Sequence, residues 1–221
     1  MRVCVLSSGS KGNTTYIETS TTRILIDIGN SAKYVKEKLE DLNIDPSSLD
    51  AILITHTHVD HVKGLKVFEK KFNIPVYITE IMLTSLDYLD NYRFISDEFE
   101  IKDIHIQAIK TSHDTADSRG YIVSNSGKSV VYITDTGYIN SKYFAALSDR
   151  NMYIMESNHD VEMLSNGNYP FNLRQRILSD KGHLSNYDSA KYLSSFIGDN
   201  TKYILLAHLS EENNTKELAY E

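Results

Sequence analysis

The chain has 221 residues, 41% of them hydrophobic and 24% charged, a globular balance with length for one well-buried core and too little for two full-sized domains and a linker. Its 23 basic and 30 acidic residues give a formal charge of −7, which counts against non-specific electrostatic capture of nucleic acid. No apolar run reaches the roughly 20 residues needed to span a bilayer, the start MRVCVLSSGSKGN meets Ser, Gly and Lys before a signal-peptide core forms, and the single cysteine, Cys4, excludes an internal disulfide. We therefore expect one cytoplasmic domain over residues 1–221 with no membrane association, and Cys4 packed in the core.

In chain order, VCVLS, TTYIET and RILIDIG are short strands separated by the turns SGSKGN and STT, an antiparallel start. SAKYVKEKLEDLNI places Tyr34, Val35, Lys38, Leu39 and Leu42 at helical spacing, with Ser31 as N-cap and Pro46 beyond the end. AILIT is a buried strand that runs into a histidine-rich turn and a helix, VKGLKVFEKKF. Further strands are predicted at IPVYIT, EIKDIHIQAIK, RGYIVSN, SVVYITDTG, NMYIMES and TKYILLAHLS, and helices at MLTSLDYLD, SKYFAALSD, RQRILS and NYDSAKYLSSFIG. Strands dominate and helices are interspersed in both halves, the pattern of two sheets packed together with helices on the outer faces.

The sharpest chemical signal is His56-Thr-His58-Val-Asp60-His61, four potential metal ligands within six residues directly after a strand. Histidines suit zinc, manganese or iron, and a carboxylate among them favours a mixed nitrogen and oxygen site. In an extended turn, alternate positions face the same way, so His56 and His58 can grip one ion, while Asp60 and His61, past the bend, can reach a second. Four ligands do not complete two sites, and the chain offers more at the same kind of place. His113 follows IHIQAIKTS, Asp135 follows VVYIT and His208 follows YILLA, each a polar residue where an apolar strand stops. A carboxylate such as Asp135 can bridge two cations through its two oxygens. Bound divalent cations would also add the positive charge that the formal count omits.

The HxHxDH cluster, the later SHD, TDTG and the terminal AH resemble the successive motifs of the metallo-β-lactamase fold. More narrowly, VLSSGSKGN, ILIDIG, ITDTGY, the run MESNHDVEMLSNGNYPFNLRQRILSDKGHLSN and the ending LLAHLSEENN resemble the YycJ/WalJ branch of that superfamily over nearly the whole chain. The resemblance implies an α/β fold, an αββα sandwich of two mixed sheets with a dinuclear site at one edge, and a hydrolase linked to 5′-to-3′ DNA exonuclease activity. It implies His56, His58 and His113 on one metal, Asp60, His61 and His208 on the other, and Asp135 between them. Asp27 matches an aspartate that orients a ligand histidine, and His183 in GHLSN resembles a histidine that phosphodiesterases of the superfamily place near the leaving group. Relatives usually continue into further helix and strand beyond the point matching His208.

The mechanism expected from this reading is attack on phosphorus by a metal-bound hydroxide, with Asp60 and His183 in catalytic roles, two zinc or manganese ions (iron being also compatible) and DNA as substrate. Thioester or lactone hydrolysis on the same scaffold is the alternative chemistry, and a non-catalytic regulatory protein the alternative class. An electron-transfer di-iron protein would be expected to carry a glutamate where His58 stands. His105 in EIKDIHIQ reads as a solvated strand residue, and His159 in SNHD has no role assigned. Arg174, Arg176 and Lys181 are candidate phosphate contacts whose bland reading is a solvated helix face.

Overall fold

The computed structural model describes residues 1–221. It contains two mixed β-sheets flanked by helices. The first sheet runs in the order β1 (Arg2–Ser7), β2 (Thr14–Glu18), β3 (Arg23–Ile26), β4 (Ala51–Leu53), β5 (Val76–Ile78) and β6 (Tyr92–Phe94). Its first three strands are antiparallel, as the closely spaced turns require, and β3 to β6 are parallel. The second sheet has the order β12 (Tyr203–Ala207), β11 (Met152–Glu156), β10 (Lys128–Ile133), β9 (Arg119–Asn125), β8 (Ile104–Lys110) and β7 (Glu98–Ile101), with β10, β11 and β12 parallel.

Parallel neighbours need crossover connections, and helices supply them. They are α1 (Ala32–Asp41), α2 (Val59–Val62), α3 (Leu65–Phe72), α4 (Phe144–Leu147), α5 (Val161–Asn166), α6 (Phe171–Ile177) and α7 (Asn186–Phe196); α8 (Lys216–Tyr220) follows the last strand. No helix is long and apolar enough to cross a membrane.

The chain divides into two compact units, Met1–Ala108 with Thr115–Arg119, and Ile109–Asp114 with Gly120–Glu221. In the first, cross-strand register aligns Tyr16, Leu25, Ile52 and Val76 in one row, and the pleat turns this row to the same side. These residues share a core with Val35 and Leu39 of α1 and Leu65 and Phe68 of α3, all fully buried, and Cys4 packs against it as expected. In the second unit, Ile133, Met155 and Leu206 lie in register and share a core with Leu147, Leu193 and Phe196 of α4 and α7. Burying each such side chain contributes about 1.5–3 kcal/mol.

Several local expectations change. The alternation in EIKDIHIQAIK is a hairpin, β7 and β8, turned at Lys102 and Asp103 with Lys102 at φ 51°. MLTSLDYLD forms only a 3-10 turn at Ile81–Thr84, and the helix after the histidine-rich turn breaks into α2 and α3. That break falls at Gly64, where an added Cβ would collide with the Asn30 carbonyl oxygen, so the chain must come close there. Helices α5 and α8 were not anticipated.

Three strands end on a residue with left-handed backbone: Asp27 after β3 at φ 61°, Asp135 after β10 at φ 57° and His208 after β12 at φ 55°. Side chains that would otherwise continue the alternation along the sheet are thereby redirected at the strand tips.

Candidate metal centre

In the first unit the site starts where β3 stops. The fully buried Asp27 accepts the Thr55 amide on Oδ1 at 2.8 Å, and on Oδ2 it accepts the Thr55 hydroxyl at 2.8 Å and His61 Nδ1 at 2.7 Å. Burial pushes the Asp27 carboxyl upward, and His61 and Thr55 pull against that shift. Donation from Nδ1 fixes the His61 tautomer and leaves Nε2 as the ring's electron-pair donor.

His61 Nε2 lies 3.5 Å from Asp60 Oδ2. The Asn13 side-chain amide sits against both, 3.0 Å from His61 Nε2 and 3.4 Å from Asp60 Oδ2. One amide NH₂ group therefore addresses the same nitrogen and oxygen that a divalent cation would draw on, a donor pair compatible with zinc, manganese or iron. His56 lies beside them, its ring centroid 4.0 Å from that of His61 and 4.7 Å from that of His58. His56 and His61 are buried, and His58 and Asp60 are half-buried. His58 stays extended as the N-cap of α2, whose first turn carries Asp60 and His61, so the bend falls inside the motif.

The backbone around this turn has little freedom. Asn13 N donates to Asp60 O and Ile28 N to His61 O, each at 2.8 Å. A Cβ on Gly29 would collide with the Asp60 carbonyl and the Asn13 amide, so only glycine fits.

In the second unit Glu156, at the end of β11 and fully buried, organises everything near it. Its Oε1 meets His183 Nδ1 at 2.7 Å and His208 Nδ1 at 2.9 Å, while its Oε2 accepts the Thr136 and Leu184 amides at 2.9 and 3.2 Å. Those amides belong to the residues that follow Asp135 and His183. One carboxylate thus gathers the loops after β10 and β12 and the connection between α6 and α7, and sets two imidazoles with Nε2 as the outward donor atom.

Asp135 Oδ1 lies 3.6 Å from His208 Nδ1, 3.8 Å from His183 Nδ1 and 3.7 Å from His113 Nε2. Asp135, Glu156, His183 and His208 each offer one ligand atom within 4.8 Å of the others. His113 donates from Nδ1 to the Gly182 carbonyl oxygen at 3.1 Å, which again leaves Nε2 for a ligand. The Asn158 amide donates to the His208 carbonyl oxygen at 2.9 Å and steadies the left-handed residue.

Each unit therefore brings together the residues that the sequence nominated within it: Asp27, His56, His58, Asp60 and His61 in one, and His113, Asp135, His183 and His208 in the other. Glu156, Thr55, Asn13 and Asn158 were missed. Glu156 alone carried a signal, since it closes an apolar strand just as Asp135 and His208 do. His105 is an exposed strand residue, as expected. His159 is buried, its ring nitrogens have no hydrogen-bond partner, and burial lowers it to about 4.

The beta-lactamase superfamily domain profile matches residues 22–204 of this chain. The chain belongs to that superfamily. Within it, the chain is 39% identical over 223 residues to exodeoxyribonuclease YycJ of Bacillus anthracis, covering 97% of this chain and 84% of that protein. It is 41% identical over 226 residues to exodeoxyribonuclease WalJ of Streptococcus pneumoniae, covering 98% and 84%. These relatives place this superfamily member in the YycJ/WalJ branch. The metallo-beta-lactamase fold protein YhfI of Bacillus subtilis matches it with a TM-score of 0.79 at 16% identity, over 99% of this chain and 90% of that one, a likeness of fold.

Proposed function

We propose that this chain is a two-metal phosphodiesterase that degrades DNA as a 5′-to-3′ exonuclease and works as one functional domain. The names of the YycJ and WalJ relatives, similar along nearly the whole chain, support the substrate. On this reading His56, His58 and His113 would hold one cation and Asp60, His61 and His208 the other, with Asp135 as the shared ligand; zinc or manganese would be the ions, with iron compatible. The cations would supply Lewis acidity toward phosphodiester oxygens and toward water.

The chain's own residues do the rest. Asp27 holds His61, and Glu156 holds His208, each through Nδ1–H, so neither ring can turn its ligand nitrogen away. His183 is the proton carrier. As an imidazolium it keeps Nδ1–H on Glu156 and offers Nε2–H to the departing 3′ oxygen, and after transfer the neutral ring stays anchored.

The His183–Glu156 pair is the observation that carries the phosphodiester reading over the acyl alternative, because it provides a placed acid for a poor leaving group. The test is turnover of 5′-labelled double-stranded DNA and of an acyl-glutathione thioester, with zinc or manganese added and metal content determined on the same sample. DNA cleavage that disappears in Asp135→Asn and falls roughly 10²–10⁴-fold in His183→Ala is expected. Thioester turnover with intact DNA would reverse the assignment.

A further inference from the structure

The end of β8 and the loop after β10 enclose a cavity of about 150 Å³ that the catalytic reading does not use. Its walls include Lys110, Ser112, Tyr138, Asn140, Lys142 and Tyr143. Two cations line it and no carboxylate does, in a chain whose formal charge is −7. Ser112 immediately precedes His113, and Tyr138 follows Asp135 by three positions, so the cavity is continuous in sequence with two proposed metal ligands.

The walls are built rather than accidental. Gly137 N donates to Ser112 O at 2.9 Å and Ser112 N to Thr136 Oγ1 at 3.0 Å, which ties the two segments together. Lys110 N donates to Tyr143 Oη at 3.2 Å, Lys142 N donates to Asn140 Oδ1 at 3.0 Å, and Lys142 Nζ stands 4.7 Å from the centre of the Tyr143 ring. Such a cavity falls below the ~300 Å³ of sites for drug-sized ligands, which suits one phosphodiester group and not a whole nucleotide. Tyr138, 41% exposed, offers an aromatic ring at the rim.

We infer that this cavity is a strand subsite: it holds one phosphodiester group of single-stranded DNA between Lys110 and Lys142, with the neighbouring base stacked on Tyr138. The inference rests on the nuclease reading and adds where the strand lies. Lysine neutralises phosphate charge and releases counterions, and an exposed ring stacks on any base, so recognition here is independent of sequence.

The experiment is fluorescence anisotropy of the full chain with a fluorescein-labelled, phosphorothioate-linked single strand that resists hydrolysis, across a salt titration. The Lys110→Ala/Lys142→Ala double variant should bind about tenfold more weakly, and its slope of log affinity against log salt should shrink by about 0.7, the value for one phosphate neutralised on a single strand. Arginine at both positions should restore the slope. Tyr138→Ala should weaken binding and Tyr138→Phe should not. A matched loss of charge on α1, Lys33→Ala/Lys36→Ala, should change nothing. An unaltered slope in the double alanine variant overturns the subsite and leaves the nuclease reading intact. Failure of the wild-type chain to cleave unmodified DNA while the slope changes as expected overturns the nuclease reading alone. Absence of binding by the wild-type chain overturns the subsite, and absence of binding together with failure to cleave unmodified DNA overturns both.

Discussion

His183 and Glu156 are joined by a 2.7 Å bond between Nδ1 and Oε1, and the carboxylate is completely buried. Burial alone would raise the Glu156 carboxyl, but His183, and then the bonds from His183 and His208, outweigh it and hold it down to about 2. Glu156→Gln keeps the volume and removes the charge, and its amide NH₂ must face at least one of the groups that now donate to it. Activity on DNA and bound metal are each expected to fall about 10–100-fold. Steady-state kinetics at saturating metal, with elemental analysis of the same preparation, checks this. Wild-type values for both would show that the bond is dispensable.

Asp27→Asn tests the other unit. The amide can still accept from Thr55, but it no longer offers a charged acceptor to His61 Nδ1. Metal affinity should drop about 10–100-fold with little change in secondary structure. Competitive titration with a chromogenic chelator gives the affinity, and circular dichroism gives the fold.

Acid stability should depend on Asp103. Hydrogen bonds from Thr22 and Thr19 hold its carboxyl down to about 2, below its ordinary value near 4. A carboxyl lowered in the folded state contributes stability that is fully present above its unfolded value and is lost as pH falls toward the folded one. The difference in denaturation midpoint between wild type and Asp103→Asn should therefore be constant above about pH 5 and close progressively toward pH 2. A constant difference across that range would show that this ionisation is not linked to folding.

Gly29→Ala should damage the histidine-rich turn without replacing a proposed ligand. The new methyl group meets the Asp60 carbonyl and the Asn13 amide, both fixed by backbone hydrogen bonds. We expect destabilisation of about 1–3 kcal/mol by urea denaturation, together with weakened metal binding. A stable protein with native affinity would show that the turn can shift.

Much of this architecture was legible because local chemistry and tertiary structure agree. Ser31 announces α1, and its hydroxyl does accept the Tyr34 amide, at 3.2 Å. Strand ends carrying His113, Asp135 and His208 were legible because an apolar run that stops on a ligand-type residue is unusual. Glu156 was hidden for the converse reason. It ends NMYIMES like any polar strand terminus, and its four donors come from residues 136, 183, 184 and 208, which no local window joins. The β7–β8 hairpin was hidden because its turn has no glycine or proline, and the only sign of it was the shift of apolar phase between Ile101 and Ile104, across Lys102 and Asp103. MLTSLDYLD had helical spacing, but only Ile81–Thr84 turn, and Tyr92–Phe94 continue instead as an edge strand on β5.

The left-handed conformations of Asp27, Asp135 and His208 restrict how the centre can be re-engineered. A residue at any of these positions must supply the correct donor atom and also tolerate a main-chain geometry that most side chains resist. Exchanges that look chemically neutral, such as Asp135→Glu to lengthen the proposed bridge or His208→Cys to soften a proposed ligand, therefore replace residue types that enter this backbone region more readily with types that do so less, before any change at an ion is counted. Attempts to retune metal preference would do better to vary His56, whose backbone carries no such demand.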